Sequence, residues 1–233
     1  MALKPSVVLA SGQLLTAEVW SPVAAALGDR YDVLHADHTR DDTIAGMAAR
    51  LLAEAPERFD LVAHAMGGFT AFEVMRRAPE RVRSLTLIST LAPNDGPAQT
   101  ERRQGYIRLV EAGDFAGVVE ERVPILLHPD RRHDPHLLAI VRRMALETGA
   151  ETFLRQQRAI MSRIDSRASL AAIRCPTLLV RGREDAIATE AHQREMLAAI
   201  PGARLEQVEA CGHLVMLERP HEAKRILGDW LAR

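Results

Sequence analysis

Short apolar runs that alternate with helix-length periodic segments are the feature that most limits the fold of this chain. Runs rich in Val, Leu and Ile predict six strands, at residues 6–10, 31–36, 59–63, 82–89, 176–180 and 204–208. Amphipathic patterns predict helices at residues 17–27, 42–55, 66–77, 189–200 and 220–231. Apolar strands joined by helices are typical of parallel strands buried on both faces. We therefore predict an α/β fold with a mostly parallel sheet flanked by helices.

The alternation stops between residues 93 and 173, where helix-length segments such as 99–112 and 136–147 occur without a convincing strand. We interpret residues 93–173 as a helical cap inserted into a core formed by residues 1–92 and 174–233. Such a block would lie over the carboxyl edge of the sheet, where open α/β folds bind ligands. Asp41 and Asp42 are predicted to cap the helix that begins near residue 42.

The composition favours one enzyme-sized domain that acts on a small molecule. A chain of 233 residues with 47% hydrophobic content can bury one sizeable core. Its 30 basic and 31 acidic side chains nearly cancel and form no basic block, so we expect neither a nucleic-acid partner nor a membrane-surface partner. No signal-peptide pattern or membrane-length apolar stretch is present, and we expect a cytoplasmic monomer or homodimer.

Cysteine and histidine spacing gives no sign of metal or redox chemistry. Cys175 and Cys211 are the only cysteines and form no Cys-x-x-Cys motif. Polar residues in the predicted cap match no standard zinc spacing, namely His128, His133, Asp134 and His136. We therefore expect no bound metal and no cofactor.

Residues 59–74 read FDLVAHAMGGFTAFEV, which is an apolar run, a tight turn of small residues and a helical pattern. This is the layout of a nucleophile elbow, G-x-S-x-G, which projects a reactive side chain from a strained turn. Ala63, Ala65 and Gly67 occupy its first, third and fifth places. Ala65 keeps the small size of a serine but has no reactive oxygen. His64 is predicted to pack behind the elbow, because adjacent side chains there point in opposing directions.

An acid and a base follow the elbow in the chain. RGRED ends at Asp185 and CGH ends at His213, each after a predicted strand. The order nucleophile, acid, base is used by enzymes whose histidine takes the nucleophile's proton while a carboxylate holds the imidazole. We assign His213 as the general base and Asp185 as the acid, with Glu184 as the neighbour that could be confused with it.

Five segments carry a resemblance to a known family: AHAMGG, LLVRGRED, IPGARLEQVEACGH, LERP, and SGQLLTAEVW in place of a His-Gly loop. Over nearly its whole length the chain resembles compact members of the α/β-hydrolase superfamily. The resemblance implies an α/β-hydrolase fold and hydrolysis of a carboxylic ester or related acyl compound by a Ser-His-Asp mechanism. It also favours Asp185, because the family places its acid three residues after the turn at Gly182.

The resemblance further implies an oxyanion hole made by two backbone N–H groups. Met66, directly after the elbow position, supplies one donor, and Gln13 is the choice for the second, with Leu14 as the alternative. Leu14, Leu15 and Trp20 are candidates for the substrate pocket, although core packing explains them equally well. Ser11 and Ser89 are the nearest serines to the expected pocket, but neither occupies an elbow.

The alanine at position 65 leaves three readings of the chain. Loss of a triad nucleophile typically lowers turnover on the order of a millionfold, so we expect this chain to be inactive or strongly impaired. Because Asp185 and His213 are retained, the pattern favours a deliberately disabled enzyme, with serine as the parent residue. The alternatives are a natural pseudoenzyme that binds a small ligand, and a lyase-like enzyme that uses His213 and Asp185 without a nucleophile. Ester, thioester, lactone and carbon–carbon bonds all remain open as the cleaved bond.

Overall fold

The computed structural model describes residues 4–233, and in this part of the chain six parallel strands form one sheet. The strands are β1 (Ser6–Ala10), β2 (Asp32–His35), β3 (Phe59–His64), β4 (Val82–Ile88), β5 (Thr177–Gly182) and β6 (Arg204–Val208). Their order across the sheet is β2-β1-β3-β4-β5-β6. Each coincides with a predicted strand to within one or two residues at its ends, so the predicted fold class is confirmed.

Helices cover both faces of the sheet. They are α1 (Ser21–Leu27), α2 (Ile44–Glu54), α3 (Met66–Arg77), α4 (Pro97–Glu111), α5 (Phe115–Arg122), α6 (Pro135–Thr148), α7 (Ala150–Ser162), α8 (Glu190–Ala199), α9 (Val215–Glu218) and α10 (Pro220–Leu231). Val7 and Leu9 of β1 pack in one apolar cluster with α1 and α10, whereas Val8 packs in a second cluster with α2, α3 and α8. This alternation follows from the two-residue period of a strand.

The start of α2 differs from the prediction that Asp41 and Asp42 cap it. Thr43 is the N-cap residue, and its hydroxyl accepts a hydrogen bond from the backbone N–H of Gly46 at 3.0 Å. Asp41 instead accepts a hydrogen bond from Nε of Arg50 at 2.7 Å. The prediction was wrong because the helix begins at Ile44, and only the residue directly before the first helical residue can cap in this way.

The segment between β4 and β5 is helical, as its periodicity indicates, and contains α4 to α7. Its base is closed by a hydrogen bond of 2.9 Å from the backbone N–H of Ser166 to the carbonyl of Ala92. Side chains of this segment share an apolar cluster with β1 and α1. The cap bounds of 93 and 173 remain a prediction. None of the helices within residues 4–233 combines the length and apolarity needed to cross a bilayer.

The strand order reverses at β1, which lies between β2 and β3. The loops that leave β1 and β3 therefore diverge and open a crevice at the carboxyl edge of the sheet. Two glycines of α3 allow this close packing. A Cβ on Gly67 would lie far inside van der Waals distance of the Ala10 carbonyl oxygen, and one on Gly68 would collide with Thr90.

We expect Gly67→Ala to lower the free energy of unfolding by about 1–3 kcal/mol, because the obstructing atom belongs to the backbone of β1 and cannot move aside. Gly105→Ala within α4 is the matched control, since the nearest atom to its new Cβ lies 3.8 Å away. That change should be neutral or stabilise the helix by up to about 1 kcal/mol. Urea denaturation of both variants measures the difference, and equal midpoints would contradict the packing argument.

Candidate active site

Ala65 stands at a sharp bend between β3 and α3. Its backbone angles are φ 49° and ψ −110°, a left-handed region that an alanine rarely adopts. Two hydrogen bonds hold it there: its N–H donates to the carbonyl of Ile88 at 3.0 Å, and its carbonyl accepts from the Thr90 hydroxyl at 2.8 Å. Such a conformation costs on the order of 1–3 kcal/mol and persists only where the surroundings enforce it.

His213 and Asp185 form a buried hydrogen-bonded pair. Nδ1 of His213 lies 2.9 and 3.0 Å from the two carboxylate oxygens of Asp185. Oδ1 of Asp185 also accepts hydrogen bonds from the backbone N–H groups of Ile187 at 2.8 Å and Ala188 at 3.0 Å. A carboxylate on Nδ1 assigns the proton of the neutral imidazole to that nitrogen, so Nε2 keeps its lone pair. His213 lines the largely apolar cavity that also contains Ala65.

Opposing effects set the charge of Asp185. Burial alone would raise the pKa of this carboxyl, but His213 and the backbone donors Ile187 and Ala188 outweigh burial and hold the pKa below its ordinary value. Asp185 is therefore ionised at neutral pH. A fixed negative charge on Nδ1 stabilises the imidazolium that forms when His213 accepts a proton.

His64 supports the backbone of the base. Its Nε2 donates a hydrogen bond to the carbonyl of His213 at 3.0 Å, and the two rings lie 4.9 Å apart between centroids. Burial and the neighbouring His213 lower the pKa of His64 to about 3, so its ring is neutral. The loop after β1 packs against this ring, because a Cβ on Gly12 would lie 2.8 Å from Nδ1 of His64 and 3.2 Å from Cβ of Ala65.

Two glutamates that sequence reasoning did not assign to the site anchor the loop that carries His213. Glu218 accepts hydrogen bonds from the backbone N–H groups of Gly212 at 2.9 Å and His128 at 2.8 Å. Glu184 accepts from the backbone N–H of Cys211 at 3.0 Å. Burial raises the pKa of Glu218, against the effect of its amide donors. The LERP segment after the histidine was the only sequence signal for this role.

The loop after β1 brings the two candidates for the second oxyanion donor into the cavity. The backbone N–H of Leu14 donates to Oε1 of Gln156 at 3.1 Å, and Leu14 has a positive φ of 62°. Gln156 lies on α7 and also donates from Nε2 to the carbonyl of His38 at 3.2 Å. Among residues 4–233, no acceptor takes the backbone N–H of Gln13 or of Met66. Both of these residues line the cavity.

The cavity has a volume of about 80 Å³, which is below the range typical of small-molecule sites. Leu14 and Leu15 line it, together with Arg103 of α4 and Arg122 of α5. Trp20 is not among the lining residues, which corrects its place among the pocket candidates. It is completely buried, because the 3₁₀ turn Ala17–Trp20 before α1 carries it into the core, and its indole N–H donates to the Ser11 hydroxyl at 2.9 Å.

Two further residues near the site carry reactive groups, the hydroxyl of Ser89 and the thiol of Cys211. Ser89 lines the cavity with a buried hydroxyl that has no hydrogen-bond partner among residues 4–233, and its φ is 49°. Cys211 is buried, and burial raises the pKa of its thiol well above the ordinary value. Within the same residues, no three His, Cys, Asp or Glu side chains gather closely enough to hold a metal ion.

A strained strand-to-helix bend, a buried histidine–carboxylate pair and a shared cavity at the carboxyl edge of a parallel sheet define a hydrolase-type site. The sequence model of a protein family described as "Alpha/beta hydrolase family" matches residues 7–224, and the chain belongs to that family. The chain is 30% identical over 249 residues to a "Putative carbamate hydrolase RutD" of Klebsiella pneumoniae (strain 342), covering 98% of this chain and 91% of the relative.

Two further comparisons extend this result. A "Pimeloyl-[acyl-carrier protein] methyl ester esterase" of Aromatoleum aromaticum is 26% identical over 245 residues, which cover 97% of this chain and 98% of the relative. The structure of a thermophilic esterase from Thermogutta terrifontis superposes with a TM-score of 0.89 at 25% identity, covering 100% of this chain and 91% of that one. The similarity therefore extends over the whole chain, including the helical segment between β4 and β5.

We expect Glu218→Gln to lower the free energy of unfolding by about 1–3 kcal/mol, because an amide can present only one oxygen to the two N–H groups that the carboxylate accepts. Glu222→Gln, an exposed position on α10, is the matched control and should have little effect. Thermal denaturation compares the two variants. Similar melting temperatures would show that Glu218 does not anchor the histidine loop.

Proposed function

We propose that the chain is a nucleophile-lacking form of a hydrolase that cleaves carboxylic esters or related acyl compounds by a serine–histidine–aspartate mechanism. The observation that carries the proposal is the positive-φ backbone of Ala65, which opens onto the same cavity as His213. An alanine gains nothing from this strained conformation. A nucleophile requires it, because the bend projects its side chain into the pocket.

With serine at position 65, hydrolysis proceeds in two steps, acylation of the serine and hydrolysis of the acyl-enzyme. The hydroxyl proton moves to Nε2 of His213 while Oγ bonds to the substrate carbonyl carbon, whose oxygen becomes an oxyanion. Collapse of this intermediate breaks the bond to the leaving group, which takes the proton from His213. A water molecule then attacks the acyl-enzyme and gives its proton to His213, and the serine leaves with that proton restored. Asp185 stabilises the imidazolium in both steps.

The oxyanion is stabilised by the backbone N–H groups of Met66 and Gln13. Gln13 is favoured over Leu14, because the N–H of Leu14 already donates to Gln156. A donor that has no internal acceptor can turn its full strength toward the charge that develops in the transition state. Leu14 and Leu15 provide apolar surface for the acyl group.

The comparisons support this reaction class. The relatives include a putative carbamate hydrolase and a methyl ester esterase by name, and both reactions are cleavages at an acyl carbon. We further propose that residues 93–173 act as the cap that encloses a small-molecule substrate. The retained acid, base and donors support an enzyme disabled by replacement of serine with alanine. The codon for residue 65 in the source genome tests this: a serine codon supports replacement, and an alanine codon supports a natural pseudoenzyme.

We expect Ala65→Ser to raise the hydrolysis of a short activated ester, such as 4-nitrophenyl acetate, by at least about a thousandfold over the unmodified chain. The restored hydroxyl provides the nucleophile that His213 activates. Addition of His213→Ala to this variant should remove the gain, and release of nitrophenol measures both effects. Absence of turnover on a panel of esters, thioesters, lactones and carbamates would refute the proposed reaction.

A second candidate is proton-transfer chemistry by His213 and Asp185 without a nucleophile, which is favoured by the complete hydrogen-bonded pair. It predicts turnover by the unmodified chain that His213→Ala abolishes. Loss of the same turnover in Ser89→Ala would instead assign catalysis to the unpaired hydroxyl of Ser89. Under our proposal the unmodified chain shows neither effect, and an assay on lactones, activated esters and β-hydroxy compounds distinguishes the outcomes.

A further inference from the structure

Arg122, the last residue of α5, brings a guanidinium group to the catalytic cavity without a carboxylate partner. Its Nη2 donates to Oε1 of Gln13 at 3.1 Å. Its Nε is buried and has no acceptor among residues 4–233. Within the same residues, no Asp or Glu side chain lies within ion-pair distance of Arg122. The whole residue is half-buried and lines the cavity.

Aromatic rings and a second arginine surround this guanidinium. The centroids of Tyr106 and Phe153 lie 5.0 and 6.0 Å from its central carbon. Arg103 lines the same cavity, but its Nε is paired with Asp95 at 2.5 Å, and Asp95 also accepts from Arg163 at 2.8 Å. Two arginines, Arg103 and Arg122, therefore line this side of the cavity, and the carboxylate that pairs with Arg103 is shared with Arg163, so Arg122 is left without one.

The absence of a carboxylate beside the partly buried guanidinium of Arg122 is energetically unfavourable. Burial, together with the nearby charge of Arg103, lowers the pKa of Arg122 to about 10, so the guanidinium is still charged at neutral pH. A partly desolvated cation is stable only when an anion or several hydrogen bonds replace its water. Gln13 supplies one acceptor and the rings of Tyr106 and Phe153 supply weaker attraction. One anionic group is still lacking.

We propose that Arg122 binds a carboxylate of the substrate, and that the substrate class is short acyl compounds which carry a carboxylate beside the bond to be cleaved, such as half-esters of dicarboxylic acids. The identity of the reacting bond rests on the proposed function. Gln13 supplies both the backbone N–H assigned to the oxyanion and the side chain that holds Arg122. The carboxylate therefore lies within the combined reach of a glutamine side chain, a guanidinium group and the hydrogen bonds that join them to the scissile carbonyl and to the carboxylate.

A single negative charge suits this site better than a phosphate dianion. Most of the other lining side chains are apolar, including Leu14, Leu126 and Ile160. Desolvating two negative charges against such surface costs more than desolvating one. A planar carboxylate also matches the fork of a guanidinium with two parallel hydrogen bonds.

Binding to the unmodified chain tests the proposal, because Ala65 prevents turnover of the probe. Isothermal titration calorimetry with monomethyl glutarate and its neutral counterpart dimethyl glutarate should show about 10-fold or tighter binding of the monoester. Arg122→Met keeps an unbranched, flexible stem but removes the guanidinium and its charge, and it should remove this preference. Arg108→Met, at an exposed arginine of α4, is the matched control and should retain it. Inorganic phosphate should compete weakly.

Three results would overturn the proposal: equal binding of the two glutarate esters, binding of neither ester, or an unchanged preference for the monoester in Arg122→Met. Tighter binding of phosphate than of the monoester would overturn it as well, because the site would then be a phosphate site. Arg122→Lys, with a melting temperature measured for each variant, covers the case in which Arg122→Met fails to fold; it should bind the monoester more weakly while keeping some preference. In Ala65→Ser, Arg122→Met should raise KM for the monoester by a larger factor than it raises KM for 4-nitrophenyl acetate. Failure of the proposed function appears separately, as the absence of turnover in Ala65→Ser.

Discussion

The strained backbone of residue 65 is the constraint on which the rest of the site depends. Its positive φ is held by hydrogen bonds to Ile88 and Thr90, and the glycines that follow let α3 approach β1 closely enough to maintain the bend. If the bend relaxed, the first N–H of α3 would turn away from the cavity along with the side chain at position 65. One conformation therefore sets both the side chain of residue 65 and the N–H of Met66, the proposed nucleophile position and oxyanion donor, and both residues line the same cavity as His213.

The cap and the core are coupled through the loop after β1. Gln156 of α7 binds the N–H of Leu14 and the carbonyl of His38, so it joins two loops of the core to one cap helix. Arg122 of α5 binds the side chain of Gln13 in the same loop. Under the proposed function, these contacts join the segment that encloses the substrate to the loop that carries the second oxyanion donor.

The local sequence pattern predicted the strands and the residues that lie at the carboxyl edge of the sheet. Apolar runs located all six strands, and the segments around Ala65, Asp185 and His213 identified the residues that meet at the sheet edge, because parallel strands bring their carboxyl ends together whatever lies between them. The predicted start of α2 was wrong by a residue or two, because Asp41, Asp42 and Thr43 can all cap a helix and the sequence does not show that Thr43 takes this position. Trp20 and Arg122 could not be assigned from periodicity: each lies on a short helix, and only tertiary packing decides that one enters the core and the other the cavity.

The two halves of the cavity act on different stages of the reaction. In the proposed reaction, a carboxylate held by Arg122 takes no part in bond making or breaking, so its interaction is the same in the bound substrate and in the transition state, and such uniform binding lowers KM without raising kcat. The proposed oxyanion donors, the N–H groups of Met66 and Gln13, would meet a full negative charge only when the tetrahedral intermediate forms, so their contribution would appear in kcat. Position 65 belongs to the second group. Under the proposed function, alanine at position 65 removes the nucleophile and leaves the binding half intact, so the chain would keep its affinity for the ligand while it lacks the chemistry.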